Sequence, residues 1–292
     1  MTVRTYPFDI GQYKCVSISD GIQPIGADLL PTFFAGSSAD DLALALNNHG
    51  ISPDHYELQC NCLLIDTGDA RILIDSGGGP FFDPHLGLLA PGLESAGYRP
   101  GDIDIVILTH GHRDHICGGV AQDDSMIFPK AKHVMVRGEW EYWVNLGDEA
   151  ISKMAHSEDI RFARHCLEAI ECQLELIDAG DEIAPGVRTL ATPGHTRNHI
   201  SVEATSGDRS LICVADTMDL PIHIENTSWH PAWDELPATG IETRRALLKR
   251  AAERNALIHG FHFPFPGLGY VRVAADGWRF EPYPEPATGG SP

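Results

Sequence analysis

Short apolar runs interrupted by turn residues dominate the first half of the chain. Residues 16–19 and 62–66 read as strands, and 71–75 as a third that runs into Ser76-Gly77-Gly78-Gly79. Residues 104–108 are almost continuously apolar, the pattern of a strand covered on both faces. A further strand is predicted at 134–136. Helical periodicity falls at 86–96, 139–145 and 158–169. The second half repeats the theme, with strands at 188–191, 200–203 and 211–215, a helix over 242–255, and strands at 257–260 and 269–273. Such interleaving predicts an α/β layered architecture, read as one domain over 1–292.

Two segments stand apart. Ser38 is placed to cap a helix over 39–48, with Gly50 stopping it. Leu29, Leu30, Phe33 and Phe34 precede that helix, and 28–57 is expected to be a lid or a dimer arm. The Pro- and Gly-rich 282–292 is expected to be a disordered tail.

Composition narrows the function. With 292 residues and 43% hydrophobic content, the chain can bury a core without disulfides. Its formal net charge of −20 and lack of a Lys/Arg cluster argue against nucleic-acid binding. No run approaches the roughly 18 apolar residues that span a membrane. Residues 1–20 lack the charged-then-apolar pattern of a signal peptide, so a cytoplasmic location is expected. Seven irregularly spaced cysteines fit a reducing compartment better than a disulfide framework. Cys60 and Cys62 would share a strand face, most simply as a buried structural pair.

The candidate chemistry begins where the strand at 104–108 ends, in Thr109-His110-Gly111-His112-Arg113-Asp114-His115. Imidazole and carboxylate donors at this spacing suit divalent first-row metals, and nearby Gly111, Gly118 and Gly119 permit a sharply bent backbone. His195, Asp216 and His262 each follow another predicted strand, where rigid elements can converge their loops. His49, His55, His85, His133, His156 and His165 read as surface or packing residues.

Through His-x-His-x-Asp-His and the later His, Asp and His, the chain resembles the metallo-β-lactamase superfamily from about residue 58 to 275. The resemblance implies an αββα sandwich and two divalent ions, zinc by default, with iron, cobalt or manganese fitting the same donors. It places His110, His112 and His195 on the first ion, Asp114, His115 and His262 on the second, and Asp216 between them. Asp75 resembles the aspartate that orients a ligand imidazole, and His199 a neighbour supporting the ligands. A hydroxide held between two metals would then attack the substrate carbonyl, with Asp114 as the catalytic proton shuttle.

Trp233, the stretch Thr243-Arg244-Arg245-Ala246-Leu247-Leu248 and His262-Phe263-Pro264-Phe265-Pro266-Gly267-Leu268-Gly269 resemble the branch holding N-acyl homoserine lactonases and methyl parathion hydrolase. That resemblance implies a hydrolase of lactones or related esters, and a homodimer. Phe33, Phe34, Trp229, Trp233, Phe263 and Phe265 are candidates for an apolar substrate pocket. Some relatives carry a tyrosine soon after the bridging aspartate; here Asp216-Thr217-Met218-Asp219-Leu220-Pro221 has none, and His223 is a candidate substitute. The alternatives are phosphotriester hydrolysis, thioester hydrolysis like that of glyoxalase II, a mononuclear iron persulfide dioxygenase, or a non-catalytic binding protein.

Overall fold

The computed structural model describes residues 2–154, 157–275 and 277–284. Two seven-stranded sheets stack face to face. The first holds β1 (Thr5–Ile10), β2 (Tyr13–Gly26), β3 (His55–Asp66), β4 (Arg71–Ile74), β5 (Ile105–Ile107), β6 (Lys132–Val136) and β7 (Leu174–Ile177), in that order. The second holds β8 (Glu182–Ala184), β9 (Val187–Ala191), β10 (Ile200–Ser206), β11 (Arg209–Cys213), β12 (Leu257–His259), β13 (Leu268–Ala274) and β14 (Gly277–Pro282), again in chain order across the sheet.

Period-two alternation sorts the side chains into layers. Leu63 and Ile65 of β3 face the second sheet, where Val202, Ala204, Leu211 and Cys213 meet them. Cys60, Cys62 and Leu64 of the same strand face outward, under Leu93 and Leu167 of the helices Leu89–Ser95 and Ser157–Ile170. Ile212 and Ile258 point the other way, under Leu247, Leu248 and Ala251 of the helix Pro237–Glu253. The result is the expected αββα sandwich. β5 is parallel to both β4 and β6 and buried on both faces, which explains its unbroken apolar sequence.

β1, β7, β8 and β14 were not expected from pattern alone. β1 contains Pro7 and ends the first sheet, and β14 ends the second with exposed and half-buried side chains only; neither edge strand carries an apolar run. The predicted strand at 16–19 is the middle of a fourteen-residue strand that pairs with β3 along its length. The predicted helix at 86–96 begins only at Leu89, because Gly87 sits at φ +99°.

The 28–57 segment packs on its own chain. Ser38 Oγ accepts from Asp41 N at 3.1 Å and caps the helix Ala39–Asn48, as expected. Leu30, Phe33, Phe34, Leu42 and Leu46 form a separate small core with Leu220, Ile222 and Trp229. Backbone bonds Ala35 N to His230 O (2.8 Å) and Ala232 N to Thr32 O (2.8 Å) fasten it. Its last residues, from His55, belong to β3. The tail expectation needs a correction at its start: Pro282 closes β14, and Tyr283 N donates to Leu268 O at 2.9 Å, because pairing with β13 reaches that far. Residues 285–292, like His156, lie outside the described residues.

Candidate metal centre

The histidine-rich loop follows β5, His195 follows β9, Asp216 follows β11 and His262 follows β12. These strands belong to both sheets and end at one edge of the sandwich. Ile200 N donates to Thr109 O at 3.1 Å, stitching the start of β10 to the loop after β5. The loop itself runs close against a neighbour. A Cβ on Gly111 would lie 2.0 Å from the Trp143 indole nitrogen, so any side chain there would displace the ring.

All seven expected donors converge. One ligand atom each from His110, His112, His195 and Asp216 lies within 4.8 Å of the others, and His115, Asp216 and His262 form a second such set. His112 Nδ1 is 3.0 Å from His110 Nε2 and 2.9 Å from His195 Nε2. Asp216 Oδ1 is 3.2 Å from His115 Nε2, and Asp216 Oδ2 is 3.4 Å from both His195 Nε2 and His262 Nε2. Asp114 Oδ2 lies 3.4 Å from His262 Nε2 and 3.9 Å from His115 Nε2. Asp216 therefore stands between the two sets.

Four of the donors are steadied by a second contact. Asp75, held at φ +59°, places Oδ2 2.8 Å from His115 Nδ1 and accepts from Thr109 N at 2.9 Å. Asp234 Oδ1 is 2.9 Å from His195 Nδ1, and His262 Nδ1 donates to Gln59 O at 2.7 Å. His199 Nε2 accepts from Asp216 N at 3.2 Å, so it steadies the backbone of Asp216, in keeping with a supporting place. Such outer contacts fix the tautomer and orientation of a metal-binding ring. Glu139 accepts from Gly111 N, Trp143 Nε1 and Thr196 Oγ1, tying the first loop to the His195 turn. Asp234 and Glu139 escaped the sequence reading: a lone Asp after Trp233 and a Glu in a helical first turn carry no spacing signal.

The donor chemistry fits divalent cations. His115 Nε2 and Asp216 Oδ1 are buried without a hydrogen-bond partner, a costly arrangement unless a cation completes it. Burial, then His115 and His112, hold His110 well below the usual histidine range, and burial with His195 takes His112 down to about 3. Burial also works against charge on His195, but the Asp234 hydrogen bond and Asp216 outweigh it and raise it to about 9. Burial is likewise overcome at His262, which Asp216 brings up to about 10. Asp216 is pushed up by burial yet pulled well below its ordinary value by His115 and His262.

The pocket expectations need correction. Phe263 is fully buried beneath the loop, packed on Phe280 and under Gly260, because the chain turns its ring into the outer core of the second sheet. Phe34 and Trp229 are buried in the satellite core. His223 is fully buried with Nε2 on Phe33 O (2.9 Å) and Nδ1 accepting from Leu220 N (3.2 Å), so both nitrogens are committed to backbone. Phe265 lies under the Arg4 guanidinium, 4.3 Å from its ring centre. Phe33 is buried in the same core, its ring edge-to-face with Trp233 at 4.7 Å, which leaves Trp233, 39% exposed beside Asp234, as the accessible aromatic of the set.

Residues 55–262 match the family model described as the Metallo-beta-lactamase superfamily. The chain belongs to the metallo-β-lactamase superfamily. Among curated members, it is 29% identical over 196 residues to a Mycobacterium tuberculosis protein named "Probable metallo-hydrolase Rv2300c", a match covering 54% of this chain and 56% of that one. The chain thus spans little more than half of that relative's length. It is 26% identical over 213 residues to the N-acyl homoserine lactonase of Bacillus cereus, covering 66% of this chain and 74% of the lactonase. Among solved structures, AidC, a dizinc quorum-quenching lactonase in complex with a product, superposes with a TM-score of 0.90 at 24% identity, over 98% and 99% of the two chains. The hydrolase AbOPH superposes with a TM-score of 0.87 at 23% identity, over 98% and 100%. These superpositions establish the shared fold of the superfamily.

Proposed function

We propose that the chain is a metal-dependent hydrolase that opens lactones or related esters. His110, His112 and His195 would hold one divalent ion, Asp114, His115 and His262 a second, and Asp216 both. The observation that carries this reading is the pair of donor sets sharing Asp216, whose buried Oδ1 faces His115 Nε2 without a hydrogen bond. The lactonase relatives support the choice of substrate.

Bound there, two divalent cations would lower the pKa of a shared water and polarise the scissile carbonyl. The chain's own residues then have separate tasks. Asp75, Asp234 and the Gln59 carbonyl keep three imidazoles oriented, so little rearrangement is needed during reaction. Asp114 is more open than Asp216, with 18% against 5% of its side chain exposed. It is placed to take a proton and deliver it to the leaving alkoxide. Trp233, backed by the buried Phe33 ring, offers an apolar rim for an alkyl or acyl chain.

The test is proton release by metal-loaded protein on a panel of lactones, aryl esters, a thioester and a phosphotriester, beside a chelated control. Metal-dependent turnover concentrated on lactones is the expected result. Two bound metals with turnover only on the thioester or phosphotriester would overturn the substrate class. One bound iron without hydrolysis would overturn the reaction.

A further inference from the structure

One cluster at this site uses a residue outside the seven donors. Cys60 Sγ, a carboxylate oxygen of Asp114 and a ring nitrogen of His262 all lie within 4.8 Å of one another. The thiol is positioned by backbone that also sets the loop carrying His262. Gln59 O, one residue before, accepts from His262 Nδ1 at 2.7 Å. Asn61, one residue after, donates through N to Phe261 O at 2.8 Å and through Nδ2 to Phe263 O at 2.8 Å. Cys60 and His262 are therefore held in one rigid frame.

Two further observations point to a cation at that place. Cys60 is fully buried, and its thiol makes only a long, weak hydrogen bond, to Gln23 Oε1 at 3.9 Å, among the described contacts. His115 Nε2 and Asp216 Oδ1, which face each other at 3.2 Å in the set shared with His262, are also buried without hydrogen-bond partners. Cys62 faces the same side of β3 and is equally buried in the same apolar core, but it joins no such cluster among the described residues.

We propose that Cys60 is a thiolate ligand of the second ion, alongside Asp114, His115, His262 and Asp216; the proposal rests on the dinuclear reading above. On binding, the thiol gives its proton to solvent and a metal–sulfur bond forms. A coordinated thiol is deprotonated outright even where burial disfavours the free thiolate. One sulfur makes this position softer than a nitrogen and oxygen set, favouring zinc and cadmium over manganese.

X-ray absorption spectroscopy of the zinc-loaded protein tests this, with zinc counted in the same sample. The expected result is two zincs per chain and, besides a nitrogen and oxygen shell, one sulfur per two zincs at about 2.3 Å. That sulfur shell is lost in Cys60→Ser and kept in Cys62→Ser. Two zincs with nitrogen and oxygen only, in the unaltered protein, overturn the thiolate and leave the dinuclear reading standing. A sulfur shell that survives Cys60→Ser also overturns it. One zinc bearing a sulfur shell that Cys60→Ser removes supports the thiolate and breaks the dinuclear reading, and no bound zinc overturns both. The unaltered protein can refute the proposal alone, so poor folding of a variant does not shield it.

Discussion

The two halves of the donor set are built in opposite ways. His110, His112, Asp114 and His115 come from one loop after β5, within six residues. His195, Asp216 and His262 arrive singly from three turns of the second sheet, and each depends on a partner distant in sequence or on another turn: Asp234 for His195, His199 for Asp216 N, Gln59 O for His262. In the contiguous loop local geometry does most of the placing, helped by Asp75 at the end of β4. In the scattered half, packing does. The lesson is that equal donors need unequal support, and substitutions outside the donor set should affect the scattered half more.

Asp216 belongs to both donor sets, so Asp216→Ala should have the largest effect. Turnover is expected to fall by on the order of a thousandfold or more, since losing shared charge stabilisation is worth several kcal/mol; elemental analysis should show at least one ion lost with it. Next comes the strap on the neighbouring loop. Arg244 is buried and donates to Thr217 O at 2.8 Å and Thr227 O at 3.0 Å, and also to Trp229 O. Arg244→Met strands those carbonyls and should cost about 3 kcal/mol or more, read as a lower denaturant midpoint.

Asp234→Asn sharpens the comparison directly. It should weaken metal binding about 10- to 100-fold, measured by competition with a chromophoric chelator, while Glu94→Gln on the exposed surface leaves it unchanged. Equal affinities for Asp234→Asn and the unaltered protein would remove the claim that the scattered half leans on its outer contacts.

The pH response separates the two loading states. In chelated protein, His195 and His262 are raised, to about 9 and about 10, from an ordinary 6.5. Their contribution to stability is complete below the unfolded value and fades as pH rises through those folded values. Metal and protons compete for the same nitrogens, so metal-linked stabilisation grows with pH instead. The gap in melting temperature between loaded and chelated protein should widen from about pH 6 to about pH 9; a constant gap would contradict the competition. The smallest effect is at the rim: Trp233→Ala should raise KM for long-chain lactones about tenfold with little change in kcat, the cost of losing a few methylene contacts.

Much of this was legible in the chain. The unbroken run at β5, the cap at Ser38 and the four close donors are local patterns, set by strand burial, orphan N–H groups and ligand spacing over a few residues. The order of His195, Asp216 and His262 after strands was legible too, through the resemblance to a known family. Their outer partners were not. Asp234 is 39 residues from His195, Glu139 reads as a surface helix residue, and a carbonyl such as Gln59 O carries no side-chain signal at all. The pocket failed for a related reason: an aromatic residue's sequence does not say which way its strand or turn faces, and burial alone separated Phe263, Phe33, Phe34 and Trp229 from Trp233. Cys60 shows the same division. Alternation along β3 determined that it shares a face with Cys62, but only the docking of the His262 loop against that strand brought one of the two thiols to the donors. Local sequence thus determined which groups were available and in what order. Tertiary packing decided which of them meet, because contacts between turns of two sheets depend on how the sheets stack and leave no periodic trace in either strand.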